Sequence, residues 1–328
     1  MSINYEALTN DPRLLMEAEL KPLQGHRFQP TGFPDLGPAR YTAPDGADML
    51  LVESPQSVAN RMEMACWDNE KQDLIKELQG LPYIKVFNAD DKNITNSILE
   101  AHRINSEYIL KKDGSKRILS RDENKNTILS KESFNSEFSN IIKYKKDGQV
   151  EWKEFQKALF RYDSNCLIHG AFLEEIGGRL RITRALSGFI EATNINVAES
   201  GGVKNNIVQP ELKKGEGNVP FHRTEFTAQK ITAYFNLDLA LLRSYGLEEN
   251  ATNLLIVLAL FKIRRFLSTG LRLRTACDLE ACDLVITRPG NDFSIPDENE
   301  LLQECESLIG KCKKYFAEPA ITEVKWEK

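Results

Sequence analysis

The 328-residue sequence has no CxxC pair, only four histidines, and none of them at zinc-finger spacing from a cysteine, which excludes the common structural zinc sites. It has no GxSxG, no HExxH and no kinase set, so the familiar hydrolase, zincin and kinase constellations are absent. No GxxxxGK[ST] stretch is present either, which removes the P-loop. The longest apolar run, residues 254–261, gives way at once to Lys262, Arg264 and Arg265; it is far too short to cross a bilayer and reads as a buried helix, so no membrane is expected. The start, MSINYEALTNDPRLL, carries acids and lacks the apolar core of a signal peptide. An excess of positive charge is missing too: 43 Lys and Arg stand against 48 Asp and Glu, for a net −5. A globally basic surface, the usual footprint of a nucleic-acid binder, is thereby ruled out, and any such site must be local. The six cysteines, Cys66, Cys166, Cys277, Cys282, Cys305 and Cys312, read as free thiols in a reducing cytosol. Cys277 and Cys282 have no second pair to complete a metal site, and neither metal nor cofactor is expected.

What is present suits a folded protein: 41% hydrophobic and 28% charged residues, enough core for one large domain or two small ones. Strands are expected at 13–20, 49–52, 81–87, 166–173, 231–242 and 284–287, with 179–182 as a possible partner strand. Helices are expected at about 55–67, where Ser54 caps and Pro55 opens the first turn, and at 96–108, 250–268 and 298–316. The glycine- and proline-dense stretch 25–41 forbids a regular element. Residues 110–150, rich in Lys, Asp, Asn and Ser, read as a solvated insertion that contributes little core, and 200–220 as a long loop. Strands interleaved with helices, without a regular βαβ period, predict an α+β fold with a mainly antiparallel sheet.

Four stretches can carry chemistry. In ESPQSVANRMEMACWD (53–68) a strand feeds a capped helix, and Ser57, Asn60 and Arg61 share a face one turn apart, with Gln56 in the first turn; a phosphate at the helix start could meet them. Simple capping plus a surface arginine is the other reading. In GHRFQPTGFPDLGPARY (25–41), Arg27 and Phe28 combine charge and ring, as a nucleotide grip does, or else Phe28 and Phe33 plug the core. FKIRRFLSTGLRLRTAC (261–277) holds Lys262, Arg264, Arg265, Arg272 and Arg274 without an acid. Complementing a helix C-terminus explains Arg264 and Arg265 better than Arg272 and Arg274. Last, AESGGVKNN (198–206), then Lys213, Lys214 and the pair His222-Arg223, could fold over a polyanion or stay solvated.

Positive support for catalysis is absent. His26, His102, His169 and His222 are scattered, and His169, in the apolar run CLIHGAFL, reads as a core histidine. A metal-dependent nuclease acting through Asp35, Glu225 or Asp238, with Glu53 as a further ligand, is the competing possibility.

These same stretches carry a resemblance. GHRFQPTGFPDLGPA at 25–39, VESPQSVANRME at 52–63, IHGAF at 168–172, ITAYFNLDLALLRSYGL at 231–247 and GLRLRTACDLE at 270–280 are similar, in the right order and over nearly the whole chain, to the backbone subunit of the type I-G (formerly I-U) CRISPR interference complex, in the repeat-associated mysterious protein superfamily. The resemblance implies one hand-like domain: a modified RRM or ferredoxin-like palm, a helical, solvated insertion at 88–160 and a thumb loop at 198–224. It also implies a non-catalytic subunit that polymerises along a guide, with base pairing supplying sequence recognition. The implied partners are CRISPR RNA, target DNA through the guide, further copies of the chain, a large subunit and a crRNA-processing or capping subunit, all in the cytoplasm. The residues expected on RNA are Arg27, Phe28, Gln29, Gln56, Ser57, Asn60, Arg61, Lys204, Asn205, Asn206, His222, Arg223, Arg264, Arg272 and Arg274. One departure matters: Ala59-Asn60 precedes Arg61 where some relatives carry Lys-Arg, so one phosphate contact is expected to be weaker or to come from another loop.

Overall fold

Along Arg13–Pro22 (β1), Leu14, Met16, Ala18 and Leu20 are buried and the residues between them are not, the period-two pattern of a strand with one face on a core. The computed structural model describes residues 3–33, 35–111, 114–122, 127–178, 180–205, 218–290 and 293–326. The main elements after β1 are β2 (Arg40–Thr42), β3 (Asp48–Glu53), α1 (Pro55–Met64), β4 (Tyr83–Phe87), β5 (Asn93–Asn96), β6 (Ser115–Arg121) and β7 (Thr127–Ser133). Then come α2 (Phe134–Ile141), α3 (Trp152–Tyr162), α4 (Asn165–His169), β8 (Leu186–Asn205), β9 (Asn218–Asp238) and α5 (Glu249–Thr269). The chain ends with β10 (Arg272–Arg274), β11 (Cys277–Arg288), α6 (Glu298–Cys312) and β12 (Ile321–Trp326).

The larger sheet runs β10-β11-β1-β9-β8-β3-β2. Of its central four strands, β11-β1-β9-β8, each runs antiparallel to its neighbour. In chain order they are the fourth, first, third and second strands, with α1 after the first and α5 after the third, which is the split βαβ arrangement of the ferredoxin-like fold. The α+β expectation and its antiparallel palm are therefore what the chain adopts. Both helices pack on the same side, α1 against β8 and α5, and α5 against β9 and β11. Between Leu254 and Phe261 every residue of α5 is buried, so the greasy run is the core helix that the sequence predicted.

β8 and β9 are 20 and 21 residues long, several times the usual strand. They stay in register from Leu186–Leu237 to Asn205–Asn218, whereas the pairing of β9 with β1 stops at Ile231 and that of β8 with β3 at Thr193. The remainder is a two-stranded ribbon that leaves the palm past a corner of the chain, which bridges to it at Phe28–Phe226 and lines a hollow with residues 221–224 through Pro30 and Pro38. This corrects the loop expected at 200–220: residues 200–205 and 218–220 are strand, and 206–217 lie outside the described residues. The misleading glycines have a strand role, because a Cβ on Gly201 would stand 2.7 Å from the Phe221 carbonyl oxygen. Only glycine permits that approach.

A second sheet, β7-β6-β12-β4-β5, is closed by the last strand, β12, which lies parallel to β4. The expectation that 110–150 contributes little core is also corrected. Phe134 and Phe138, four apart on α2, are fully buried and flank Tyr162 at ring distances of 5.3 and 6.0 Å. Few apolar residues suffice when they are large and share a helix face. The helix expected at 96–108 is instead the end of β5 at Asn96 followed by turns and short helices, because the Asn96 side chain accepts from the amides of Ile98 and Leu99, both at 3.0 Å, a local alternative to a helix start. Residues 166–173 divide into the helix α4 and a strand at Ala171–Leu173, separated by Gly170 at φ 83°.

Candidate nucleic-acid interface

α1 starts as its sequence dictates. Ser54 is extended at φ −76°, ψ 156°, and its hydroxyl accepts from the Ser57 amide at 3.3 Å, with Pro55 in the first helical position and no acid in the first turn. The positive end of the helix thus stays uncompensated by its own residues. Ser57, Asn60 and Arg61 line one hollow that runs along α1 to Met64 and Ala65 at its C-terminal end, closed on the far side by Arg265, Thr269 and Gly270 from the end of α5. Gln56 donates to Asn60 at 2.8 Å and accepts from Arg184, which also reaches the Pro55 carbonyl. Burial and the nearby Arg103 lower the Arg184 pKa from its ordinary value.

Arg61 reaches across to the arginine-bearing strand, donating to the carbonyls of Leu273 at 2.6 Å and Arg272 at 3.4 Å. On that strand the two sequence-nominated arginines differ. The Arg272 side chain is 74% exposed, with Asp278 only at 4.0 Å. Arg274 turns inward to the carboxylate of Glu53, itself 2% exposed, and to the Gln29 carbonyl at 2.7 Å. A buried carboxylate needs such a partner, so Arg274 builds the site and is largely spent on doing so.

The corner at 23–31 is stitched in place by backbone bonds. Leu23 and Gln29 donate to Asp278 and Ala276 beside β10, and Phe28 exchanges two bonds of 2.9 Å with Phe226 of β9. This seats Arg27 and Arg272 in one hollow with Glu225. Glu225, buried, pairs with Arg27 at 3.2 Å and Arg223 at 3.3 Å and accepts from Ser200 at 2.9 Å. A third hollow, of about 560 Å³, continues from Gln29 and Arg274 to Phe221, His222 and Arg223 at the base of the ribbon. Phe221 is 44% exposed, and the Arg223 guanidinium lies 5.6 Å from its ring centre.

Arg27, Arg61, Arg272 and Arg274 therefore sit on contiguous turns, joined by three adjoining hollows that also take in Gln29, Ser57, Asn60, His222 and Arg223. Lys204 and Asn205 lie on the ribbon, opposite Val219 and Asn218; Asn206 is outside the described residues. Two nominated residues fall elsewhere. Phe28 is 1% exposed, so its ring belongs to the core and cannot stack on a base. Arg264 donates to the carbonyls of Ile295 and Pro296, at 2.8 and 3.2 Å, and pins the segment before α6. Sequence reading missed Arg184, Phe221 and the anchoring part of Glu225. For Phe221 a signal existed, the aromatic ring directly before His222-Arg223.

The carboxylates of the competing nuclease reading are dispersed. Glu225 and Asp238 lie on β9 thirteen residues apart, about 43 Å of extended chain. Asp238 pairs with Arg13 at 2.6 Å and caps the Leu241 amide. Glu53 is held by Arg274, and Asp35 is exposed in a turn. Among the described residues no three His, Cys, Asp or Glu gather as metal ligands. Burial pushes the Cys277 thiol up to about 11, far from a nucleophilic thiolate at neutral pH. His169 is a core residue, as expected. Its Nε2 lies 2.8 Å from the buried Lys262 ammonium, which also donates to Asn165. Burial, then the Lys262 charge, hold it well below the ordinary histidine pKa.

Fold and site together define a ferredoxin-like α+β protein with a long β-ribbon and a narrow cationic track between α1 and the ribbon base. The family model described as CRISPR-associated protein GSU0053 (Cas_GSU0053) matches residues 14–197, more than half of the chain, and the chain belongs to that family. The resemblance read from the motifs thus holds at the level of a CRISPR-associated family. Among solved structures, a chain of a "CRISPR RNA-guided surveillance complex, pre-nicking" is similar at 13% identity and TM-score 0.41, over 92% of this chain and 89% of that one. Csc2 of Thermofilum pendens is similar at 12% identity and TM-score 0.31, over 96% of this chain and 81% of that one. No curated protein matches. Structural likenesses at such scores carry no weight for function.

Proposed function

We propose that this chain is the backbone subunit of a type I-G CRISPR interference complex: a non-catalytic, cytoplasmic protein that polymerises along the spacer of a CRISPR RNA and leaves its bases free to pair with target DNA. One observation carries the reading. In a chain of net charge −5, cations from four separate stretches, Arg27, Arg61 in the last turn of α1, Arg223 and Arg272, meet on adjoining turns. Gln56 and Ser57 at the start of α1 receive a guide phosphate, as helix starts do, with Asn60 and Arg61 further along the same face. Arg272 and Arg27 carry the backbone on, and Arg223, His222 and Phe221 meet it at the base of the ribbon, where an exposed ring can stack on a base. The ribbon is the thumb, entering between nucleotides, and residues 88–160 form the insertion beside the palm. The large subunit and the processing or capping subunit complete the complex.

The test is co-expression with a repeat-spacer transcript. The expected result is a large oligomer that elutes with nuclease-protected RNA; a monodisperse, RNA-free protein would overturn the reading.

A further inference from the structure

At the opposite end of α5 from the track lies a second concave surface, about 27 Å away by the rise of the helix between Ala251 and Thr269. Its volume is about 390 Å³. One wall is α3, on which Lys153, Lys157 and Arg161 succeed one another four apart and so share a face. The other walls are the turn at 246–248, the start of α5, and Lys314-Tyr315 after α6. All four cations are exposed. The floor is apolar, with Ala158, Phe160 and Leu247, and it is fixed: the Phe160 and Phe316 rings pack at 5.3 Å, and the Ala317 amide donates to the Arg161 carbonyl at 3.0 Å. Lys157 is paired with Glu154 at 3.5 Å. Among the described residues, Lys153, Arg161 and Lys314 have no carboxylate in ion-pair range.

We propose that this cleft docks an acidic, amphipathic peptide segment of a separate protein partner, with an apolar side chain in the floor and carboxylates against Lys153, Arg161 and Lys314. Lys153 and Arg161 from one element and Lys314 from another reach the same hollow, and a carboxylate set between them is attracted by all three. The apolar floor and the interposed Glu154 and Glu248 select among anions. Duplex DNA presents an unbroken row of phosphates, about one charge per 1.7 Å of axis, which those two carboxylates oppose, and offers no apolar knob. A peptide can space its carboxylates around them. Guide binding plays no part in this docking.

The probe is a fluorescein-labelled 16-residue helical peptide alternating Glu pairs with Leu and Phe, compared with its Glu→Gln counterpart on the full-length protein. The acidic peptide is expected to bind about tenfold more tightly than the Gln peptide, and K153Q/R161Q/K314Q to abolish that preference, since three exposed pairs of this kind together amount to about one decade. R272Q, at the far end of α5, is expected to leave it unchanged. All the altered side chains are exposed, and an unchanged melting temperature of the triple variant checks that it folds. Equal binding of the two peptides, or a preference that survives the triple substitution, would overturn the proposal. So would tighter, competing binding of a 20-base-pair duplex lost in the same variant, which would make nucleic acid the occupant. Self-association abolished by those substitutions would give the cleft to a second copy instead, and also overturn it.

Discussion

The exposed side of α1 and the base of the ribbon are both cationic, but they hold their charge differently. Along α1, Ser57 at its start, Asn60 and the half-buried Arg61 in its last turn are bonded to a hydroxyl, a side-chain amide and carbonyls, with no carboxylate among those contacts. At the ribbon base, Arg27 and Arg223 share the buried Glu225. The first region is open to an anion as it stands. The second is already half neutralised, and an incoming phosphate must compete with a carboxylate fixed in the protein. A cation in the sequence is thus a promise of charge that a distant acid can withdraw.

The largest effect is expected where the cation is most committed. Arg274→Ala leaves Glu53 buried and unpaired, and should cost about 3 kcal/mol or more of stability, read as a fall in the denaturant midpoint. An unchanged midpoint would show that Arg274 is a free cation like Arg272. Arg272→Ala should leave the fold intact. It should lower the slope of log K against log salt for guide RNA by about 0.7, the single-strand value for one lost phosphate contact. Arg61→Ala should show both effects in part, since Arg61 also ties α1 to the strand of Arg272. Glu225→Gln keeps the shape of the ribbon base and removes its competing anion, so RNA affinity at low salt should rise about threefold; a loss would mean that Glu225 serves to aim the two arginines.

The smallest effect lies away from both regions. The depressed pKa of His169 means that the unfolded chain binds a proton near pH 6.5 that the folded chain refuses, so stability falls as pH drops below about 6.5. His169→Gln, which can still accept from Lys262, should flatten the dependence of melting temperature on pH between 7.5 and 5.5. A slope identical to that of the parent would place its origin elsewhere.

Much of the palm was legible because its signals are local. Ser54-Pro55 caps α1 with nothing but its own neighbours, the alternation in Arg13–Pro22 sets one face of β1, and the apolar run of α5 announces burial. What the sequence hid depends on partners far along the chain. Arg264 looks like a free cation until Ile295 and Pro296 come to meet it, and Arg274 until Glu53 does. Gly201 and Gly202 signal a loop, yet Phe221 and His222 lie opposite them in strand register. Phe28 and Phe221 both lie close to arginines in the sequence, and only tertiary packing buries the first and exposes the second.

The most direct measurement is photocrosslinking of a 4-thiouridine-substituted guide in the complex purified with its RNA, with crosslinked peptides assigned by mass spectrometry. Crosslinks should concentrate in residues 25–31, 55–61, 221–225 and 270–276, independently of spacer sequence. Crosslinks that avoid these four stretches, or that gather at the cleft of Lys153, Arg161 and Lys314, would contradict the cationic track as the path of the guide.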